Sequence, residues 1–281
     1  MVGFRMSAPL VSVVVPMHNA AATIEGAVAS LLQQTWRPME IIIVDDGSSD
    51  DSVAIVERIK NPCVRVFRQP HGGVAKALNL GCSHAHGIYV ARLDADDVAH
   101  PERLTVQVHY LERHADVGLV GSYARLETSD GRTYQFQPPT QDHSLRRYLL
   151  WDNPFVHSSV MFRYAAYREA GGYPEGPNED YRLWIRMACR WKLAVIPRVL
   201  VTYRVLPHSY SRRPRAWALR ARLDAQLEAA RLLGRWWEAI PPLAATCGAY
   251  MLARAYGPAD AAVGTLTRRI TAHARGIQKL R

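Results

Sequence analysis

Asp94, Asp96 and Asp97 place three carboxylates within four residues, in the stretch IYVARLDADDVAHPERL at 88–104. Like charges this close repel, and beside a low-dielectric sheet edge their ionisation is costly unless a cation or solvent neutralises them. Hard oxygen donors of this kind suit Mg²⁺ or Mn²⁺, which take one or two protein carboxylates and complete their coordination with water and substrate phosphates. The same residues also suit a solvated acidic loop at a helix N-terminus. Two further acidic groups stand apart in the chain, Asp45-Asp46 in the turn DDGSSD and Glu179-Asp180 before a helical pattern.

The elements that must position these groups follow from the hydrophobic runs. Residues 11–16 (VSVVVP) and 40–44 (EIIIV) are short, apolar and β-branched, as expected of strands buried on both faces of a parallel sheet. Residues 64–68 and the run entering Asp94 supply a third and a fourth strand. Helical spacing follows each of them: 23–36, a helix reaching about residue 60 that Ser48, Ser49 or Asp50 can cap, 74–86 after the turn His71-Gly72-Gly73, and 101–113. This alternation predicts a doubly wound α/β sheet, mixed but mostly parallel, with ligands beyond the carboxyl ends of its strands. Asp45/Asp46 and Asp94/Asp96 then face one cleft. A fifth strand is expected at 118–127, another in the second half of 153–162, and another at 191–201 before an irregular loop at 202–211. Leu183, Met187 and Trp191 recur every fourth residue, so Asp180 sits in the first turn of a helix.

Composition narrows the class. The 281 residues, 48% hydrophobic and 21% charged, fit one large domain or a domain with an appendage. Cys63, Cys82, Cys189 and Cys247 form no CxxC pair, which points to reduced thiols in a cytosolic setting and away from structural zinc. No run of 18 apolar residues predicts a spanning helix. Of the net charge of +10, residues 212–281 carry +9, from 13 Lys+Arg against 4 Asp+Glu. In that tail Leu219, Leu223, Leu227, Ala230, Leu233 and Trp237 fall on one helical stripe flanked by Arg220 and Arg222, with Arg231 and Arg235 further round. Such a helix suits either an anionic membrane interface or packing on the main domain. Pro241-Pro242 is expected to end it, with two more helices at 244–256 and 259–280. No nucleic-acid motif accompanies the charge, so no nucleic-acid partner is expected.

Taken in order, VSVVVPMHN, IIIVDDGSSDDS, LDADD and EDYRLWIR resemble the motifs of family-2 glycosyltransferases, enzymes of the GT-A fold that invert the anomeric centre. HGGVAKALNLG, HSSVMFR (157–163) and YRVLPHSYS (203–211) are weaker matches, and the resemblance covers about residues 10–212. It implies a GT-A catalytic domain at 1–212, with a nucleotide-binding half at about 10–115 and an acceptor half at about 116–212, followed by a basic helical C-terminal extension at 213–281. The Gln-x-x-Arg-Trp motif of processive synthases is absent, which implies transfer of a single sugar.

The resemblance also assigns roles. Asp96 holds Mn²⁺ or Mg²⁺, with Asp94 on the ribose or on a metal-bound water and Ala95 between them. Asp46, beside Asp45, accepts from the ring N–H of uracil or a similar base, and Pro16, His18 and Asn19 shape the base and ribose pocket. Lys76 approaches the diphosphate, although Leu78 stands where the family often has Arg. Asp180 is the catalytic base, its pKa raised by Glu179. Glu179, Trp151, His157 and Trp184 face the acceptor, and His208 lies on a loop that closes toward the metal or phosphate. Each residue also has a plainer reading: DDGSSD as a helix cap, Lys76 as a solvated cation, Trp151, His157 and Trp184 as core, and Asp180 as a helix-terminal carboxylate paired with Arg182 or Arg186.

The implied donor is a nucleotide-diphosphate sugar, a UDP-sugar in the first instance. The implied acceptor is a saccharide or lipid-linked saccharide of cell-surface polysaccharide, O-antigen or glycolipid synthesis. The expected location is cytoplasmic, peripheral on the inner face of the membrane. Two competing readings are an Asp-x-Asp phosphatase, whose motif belongs after the first strand rather than the fourth, and a non-catalytic basic protein that binds membrane or nucleic acid through its tail.

Overall fold

A computed structural model describes residues 8–205, 215–256 and 277–279. The first half alternates as the hydrophobic runs require: β1 (Val11–Met17), α1 (Ile24–Leu32), β2 (Met39–Asp46), α2 (Ser52–Glu57), β3 (Val64–Gln69), α3 (Val74–Ser83), β4 (Tyr89–Arg92), the short β5 (Val98–Ala99) and α4 (Arg103–Arg113). The second half contains β6 (Val117–Thr128), β7 (Thr133–Phe136), α5 (Asp142–Tyr148), a 3₁₀ turn (His157–Ser159), β8 (Met161–Arg163), α6 (Tyr164–Glu169), α7 (Glu179–Met187) and β9 (Lys192–Val205). Beyond it lie α8 (Arg215–Leu232), α9 (Trp236–Tyr256) and β10 (Ile277–Lys279).

The strands form one mixed sheet in the order β10-β7-β6-β8-β4-β1-β2-β3, with β9 paired to both β5 and β6. The pairs β3/β2, β2/β1 and β1/β4 are parallel, so these strands end together. β8 is antiparallel to β4 and β6, which joins the two halves of the sheet. Side chains alternate across the pleat. Val13, Val15, Ile41, Ile43 and Ala91 share one buried layer with α1 and α4, while Val14, Val90, Leu119 and Phe162 share the other with α3, α6 and α7. On that second face a Cβ at Gly81 of α3 would lie 2.5 Å from Val14 Cγ1, so glycine sets how closely α3 approaches the sheet.

Several boundaries differ from the sequence reading. The helix expected to reach residue 86 ends at Ser83. Residues 202–205, expected as loop, continue β9, because Arg125 to Thr128 of β6 pair with Thr202 to Val205. α8 ends before Gly234, whose φ of 65° breaks the helical run, and Pro241 and Pro242 lie inside α9 rather than closing α8. The buried face of α8 follows the expected stripe only in part. Leu219 and Ala230 of that stripe are buried, together with Ala221, Ala225, Gln226 and Ala229, whereas Leu227 and Trp237 are exposed. Small side chains let α8 lie close to α7, and polar groups fix it there: Glu228 accepts from Arg182 Nε at 2.6 Å and Arg186 Nε at 2.9 Å, and Gln226 donates to the Trp151 carbonyl at 2.8 Å. Of the helix expected at 259–280 only 277–279 are described, as strand β10 paired antiparallel with β7.

Candidate active site

Because β1, β2 and β4 are parallel neighbours, His18-Asn19, Asp45-Asp46 and Asp94 all emerge at one edge of the sheet, where Met17 pairs Asp45 and Val14 pairs Arg92. Arg92, at the end of β4, points the same way as Asp94 two residues on. Its buried guanidinium grips both oxygens of the Asp94 carboxylate and donates to Ser158 Oγ at 3.0 Å. Ser158 Oγ also accepts from the Asp94 N–H at 3.0 Å and hydrogen-bonds the fully buried Asp97, whose second oxygen accepts from the Arg204 N–H at 2.8 Å. Two of the three carboxylates are thus held by the protein itself.

Asp96 is the one left for a ligand. Burial first, and then the Asp94 charge, push its pKa up to about 6, against the pull of Arg92 and Arg204. Burial and the charges of Asp94 and Asp96 likewise raise that of Asp97. Oxygens of the three carboxylates lie within 4.8 Å of one another. This all-oxygen set, with its charge destabilised by desolvation and mutual repulsion, fits a hard divalent cation. Tyr203, from the part of β9 expected as loop, is half-buried near this cluster, and its pKa is raised by burial and by the charges of the three carboxylates.

The DDGSSD turn is built on its own hydrogen bonds. Asp45 accepts from the Ser48 N–H at 3.0 Å and Asp50 from the Ser52 N–H at 3.0 Å, but the N-cap position of α2 is Asp51, which makes no side-chain cap bond, and the helix expected to reach about residue 60 ends at Glu57. Asn19, left-handed at φ 49°, ties the β1 loop to this turn by accepting from the Ser49 N–H at 2.8 Å and donating its own N–H to Ser48 Oγ at 3.0 Å. Asp46 is buried, and its carboxylate accepts from Gln69 Nε2 at 2.6 Å, Gly72 N at 2.8 Å and Gly73 N at 2.9 Å, with His71 Nδ1 at 2.9 Å. Burial works to raise its pKa, but these donors outweigh that and hold it below the usual carboxylate range. The Asp46 carbonyl accepts from Nδ1 of both His18 and His71, and the two imidazoles stack with centroids 4.3 Å apart. A Cβ on Gly47 (φ 73°) would lie 2.7 Å from His71 N, so the turn and the His71 loop meet only through glycine. His18, Asp46 and His71 also lie close enough for a cation, but both Nδ1 atoms donate to the Asp46 carbonyl, which leaves only their Nε2 atoms as ligands.

Glu179 and Asp180 open α7 as expected. Asp180 accepts from Asn153 Nδ2 at 2.7 Å and from its neighbour's N–H, that of Tyr181, at 2.7 Å. Burial raises its pKa, Arg92 pulls it down and Asp94 pushes it up, so this carboxylate and the cluster at the end of β4 share one electrostatic neighbourhood. Burial and the Asp180 charge push Glu179 up to about 8. His157 lies with Nδ1 4.0 Å from Asp180 and Nε2 3.0 Å from the Tyr173 hydroxyl, and burial holds it neutral.

Other expected residues are placed differently. Trp184 is 0% exposed, packed edge-on to Phe155, His157 and Tyr173, so it has no face to offer an acceptor: it is core. Trp151 keeps an exposed face. Ala95 turns into the core, and Pro16 is a half-buried residue of β1. Lys76 is solvent-exposed, 4.0 Å from Glu175. His208 lies outside the described residues. The groups that sequence reasoning missed are Arg92, Ser158, Asn153 and Tyr203; only Arg92 left a signal, an arginine in an otherwise apolar strand two residues before the acidic loop.

Comparison with known proteins agrees with this geometry. The model for Glycosyl transferase family 2 matches residues 12–171. An uncharacterized glycosyltransferase of Haemophilus influenzae is 30% identical over 214 residues, 70% of this chain, which covers 66% of that protein. The amylovoran biosynthesis glycosyltransferase AmsE of Erwinia amylovora is 33% identical over 213 residues, covering 73% of this chain and 80% of AmsE. Among solved structures, S. aureus TarS 1-349 in complex with UDP-GlcNAc is similar at a TM-score of 0.63 and 19% identity, over 79% of this chain and 70% of that one. The mannosyltransferase PcManGT of Pyrobaculum calidifontis, in complex with GDP-Man and Mn²⁺, is similar at 0.61 and 22% identity, over 95% of this chain and 80% of its own. The parallel strand ends, the acidic cluster beyond β4 and these likenesses lead to one assignment: the chain belongs to glycosyl transferase family 2 and has its GT-A-like fold.

Proposed function

We propose that the chain transfers a single sugar from a nucleoside-diphosphate sugar, a UDP-sugar in the first instance, to a hydroxyl of a saccharide or lipid-linked saccharide, with inversion at the anomeric carbon. The observation that carries this reading is that one 3₁₀ turn joins the two acidic groups: His157 Nδ1 lies 4.0 Å from Asp180, while the next residue, Ser158, accepts from the Asp94 N–H at 3.0 Å, which is the proximity a base needs to act beside the group that receives the departing diphosphate. The acceptor hydroxyl gives its proton to the Asp180 carboxylate while its oxygen forms the new bond to the anomeric carbon. The bond from that carbon to the diphosphate breaks, and its electron pair leaves with the β-phosphate oxygen. Asn153 aims the carboxylate, and its buried setting raises its affinity for the proton. Asp96, with Asp94 held ready by Arg92, would hold Mn²⁺ or Mg²⁺, which supplies positive charge for the diphosphate. A UDP-GlcNAc complex and a GDP-Man complex with Mn²⁺ among the structural neighbours support a nucleotide-sugar donor and a metal, and the AmsE likeness supports polysaccharide synthesis.

A screen of nucleotide sugars for Mn²⁺-stimulated release of nucleoside diphosphate, with the product anomer read by NMR, tests the reading. One donor class should respond, and the product anomer should be opposite to the donor's. Silence toward every nucleotide sugar, or a retained anomer, would refute it.

A further inference from the structure

We propose that the outer face of α9, with the α8–α9 turn, docks on an anionic lipid bilayer and holds the chain flat in the headgroup region. Along α9 the exposed positions Trp237, Ile240, Ala244, Cys247 and Met251 recur every three or four residues, which places them on one face. Trp237 is 86% exposed, Met251 64%, Ile240 53% and the neighbouring Trp236 51%. No charged residue occurs between Glu238 and Arg254, so nearly four turns of a surface helix present apolar side chains to solvent.

Charge identifies the occupant. Arg231 lies at the α8–α9 turn beside the stripe, with Arg235, which is paired to Glu238 at 2.7 Å, next to it, and residues 257–281, which follow α9, carry 5 Lys+Arg against 1 Asp in the sequence. A cleft of about 820 Å³ opens beside the turn, its lining carrying four arginines, Arg190 and Arg231 among them, against Glu169 and Glu228, with Leu232 and Trp236 as apolar wall, a net-positive mixture that suits a lipid phosphate and the start of its chains. Tryptophan with arginine is the pairing that settles at the boundary between headgroups and acyl chains. No helix among the described residues is long and apolar enough to cross a membrane, so the contact is interfacial.

Co-sedimentation of the full chain with vesicles tests this without any sugar substrate, so the outcome is independent of the transfer reading. The wild-type chain should sediment with phosphatidylglycerol-containing vesicles and not with pure phosphatidylcholine, less so as salt rises. Trp237→Ser with Ile240→Ser should weaken that binding by about tenfold or more, and Arg231→Gln with Arg235→Gln should abolish the preference for anionic lipid. Both variants should unfold at the wild-type midpoint. Quenching of wild-type tryptophan fluorescence by brominated lipid reads the same contact with no substitution. The proposal fails if the wild-type chain stays in the supernatant, if the Trp237/Ile240 variant sediments like wild type, or if this face instead holds a dimer that the same substitutions dissociate.

Discussion

Asp180 and Glu179 are neighbours under different demands. Asp180 is anchored by Asn153, whose Oδ1 is itself fixed by the Phe155 N–H at 3.0 Å, so the amide is a rigid support for the carboxylate. Asn153→Ala should lower kcat by about 10- to 100-fold while donor affinity stays near wild type, since only the geometry of the proposed base is lost. Loss of donor affinity instead would place Asn153 in the donor pocket. Glu179 contributes in the opposite sense. Its folded pKa of about 8 lies above the ordinary 4.5, so ionisation opposes folding, and the cost appears as pH rises from 4.5 and is complete above about 8. Glu179→Gln should therefore raise stability by about 1–3 kcal/mol at pH 8.5 and by little at pH 4. Thermal unfolding at the two pH values measures this, and a gain that shrinks as pH rises would contradict it. The types and spacing of Asp94, Asp96, Asp97, Glu179 and Asp180 were legible in the sequence. Their partners were not, because Ser158 and Asn153 reach these acids across 64 and 27 residues and nothing local marks the pairing.

At the scale of elements, one carboxylate that looked unremarkable in the sequence holds the sheet together. Glu40, at the start of β2 and away from the strand ends that carry the site, accepts from Ser12 Oγ at 2.7 Å, the His86 N–H at 2.8 Å and Arg65 Nη1 at 2.6 Å. It thereby links β1, β2, β3 and the entry to β4. Burial works against its charge, but the donors outweigh it and hold the pKa below the usual value. Glu40→Ala should cost about 3 kcal/mol above pH 5, and the difference from wild type should narrow as acid protonates Glu40. Denaturant unfolding at pH 7 and pH 3 checks both signs; a difference unchanged by acid would mean that packing alone is lost. The buried strands β1, β2 and β4 were readable because an apolar β-branched run has few alternatives. β9 was not, because Thr202 to Val205 read as polar loop until β6 supplies the pairing partner. α8 was legible in part: Leu219 and Ala230 of its stripe are buried, but close approach to α7 selects alanine at Ala225 and Ala229 and leaves Leu227 exposed.

Over the whole molecule, two acidic sites from opposite halves of the chain meet because β8 runs antiparallel between β4 and β6 and brings the 3₁₀ turn with Ser158 onto the end of β4. Sequence alone gave the alternating first half and the order of the motifs. Sheet order beyond β4 depends on long-range pairing, which no local pattern encodes. Membership of glycosyl transferase family 2 disposes of the phosphatase reading, and the Asp-Ala-Asp loop indeed follows the fourth strand rather than the first. In the proposed reaction labour is divided at one site, with Asp96 serving the donor diphosphate and Asp180 the acceptor proton. Calorimetric titration of UDP with and without Mn²⁺, run beside turnover on Asp96→Asn and Asp180→Asn, tests it most directly. Asp96→Asn should lose the Mn²⁺-dependent part of UDP affinity, and Asp180→Asn should keep that affinity while turnover falls by about 1,000-fold or more. Equal loss of UDP affinity in both variants, or unimpaired turnover in Asp180→Asn, would contradict the account.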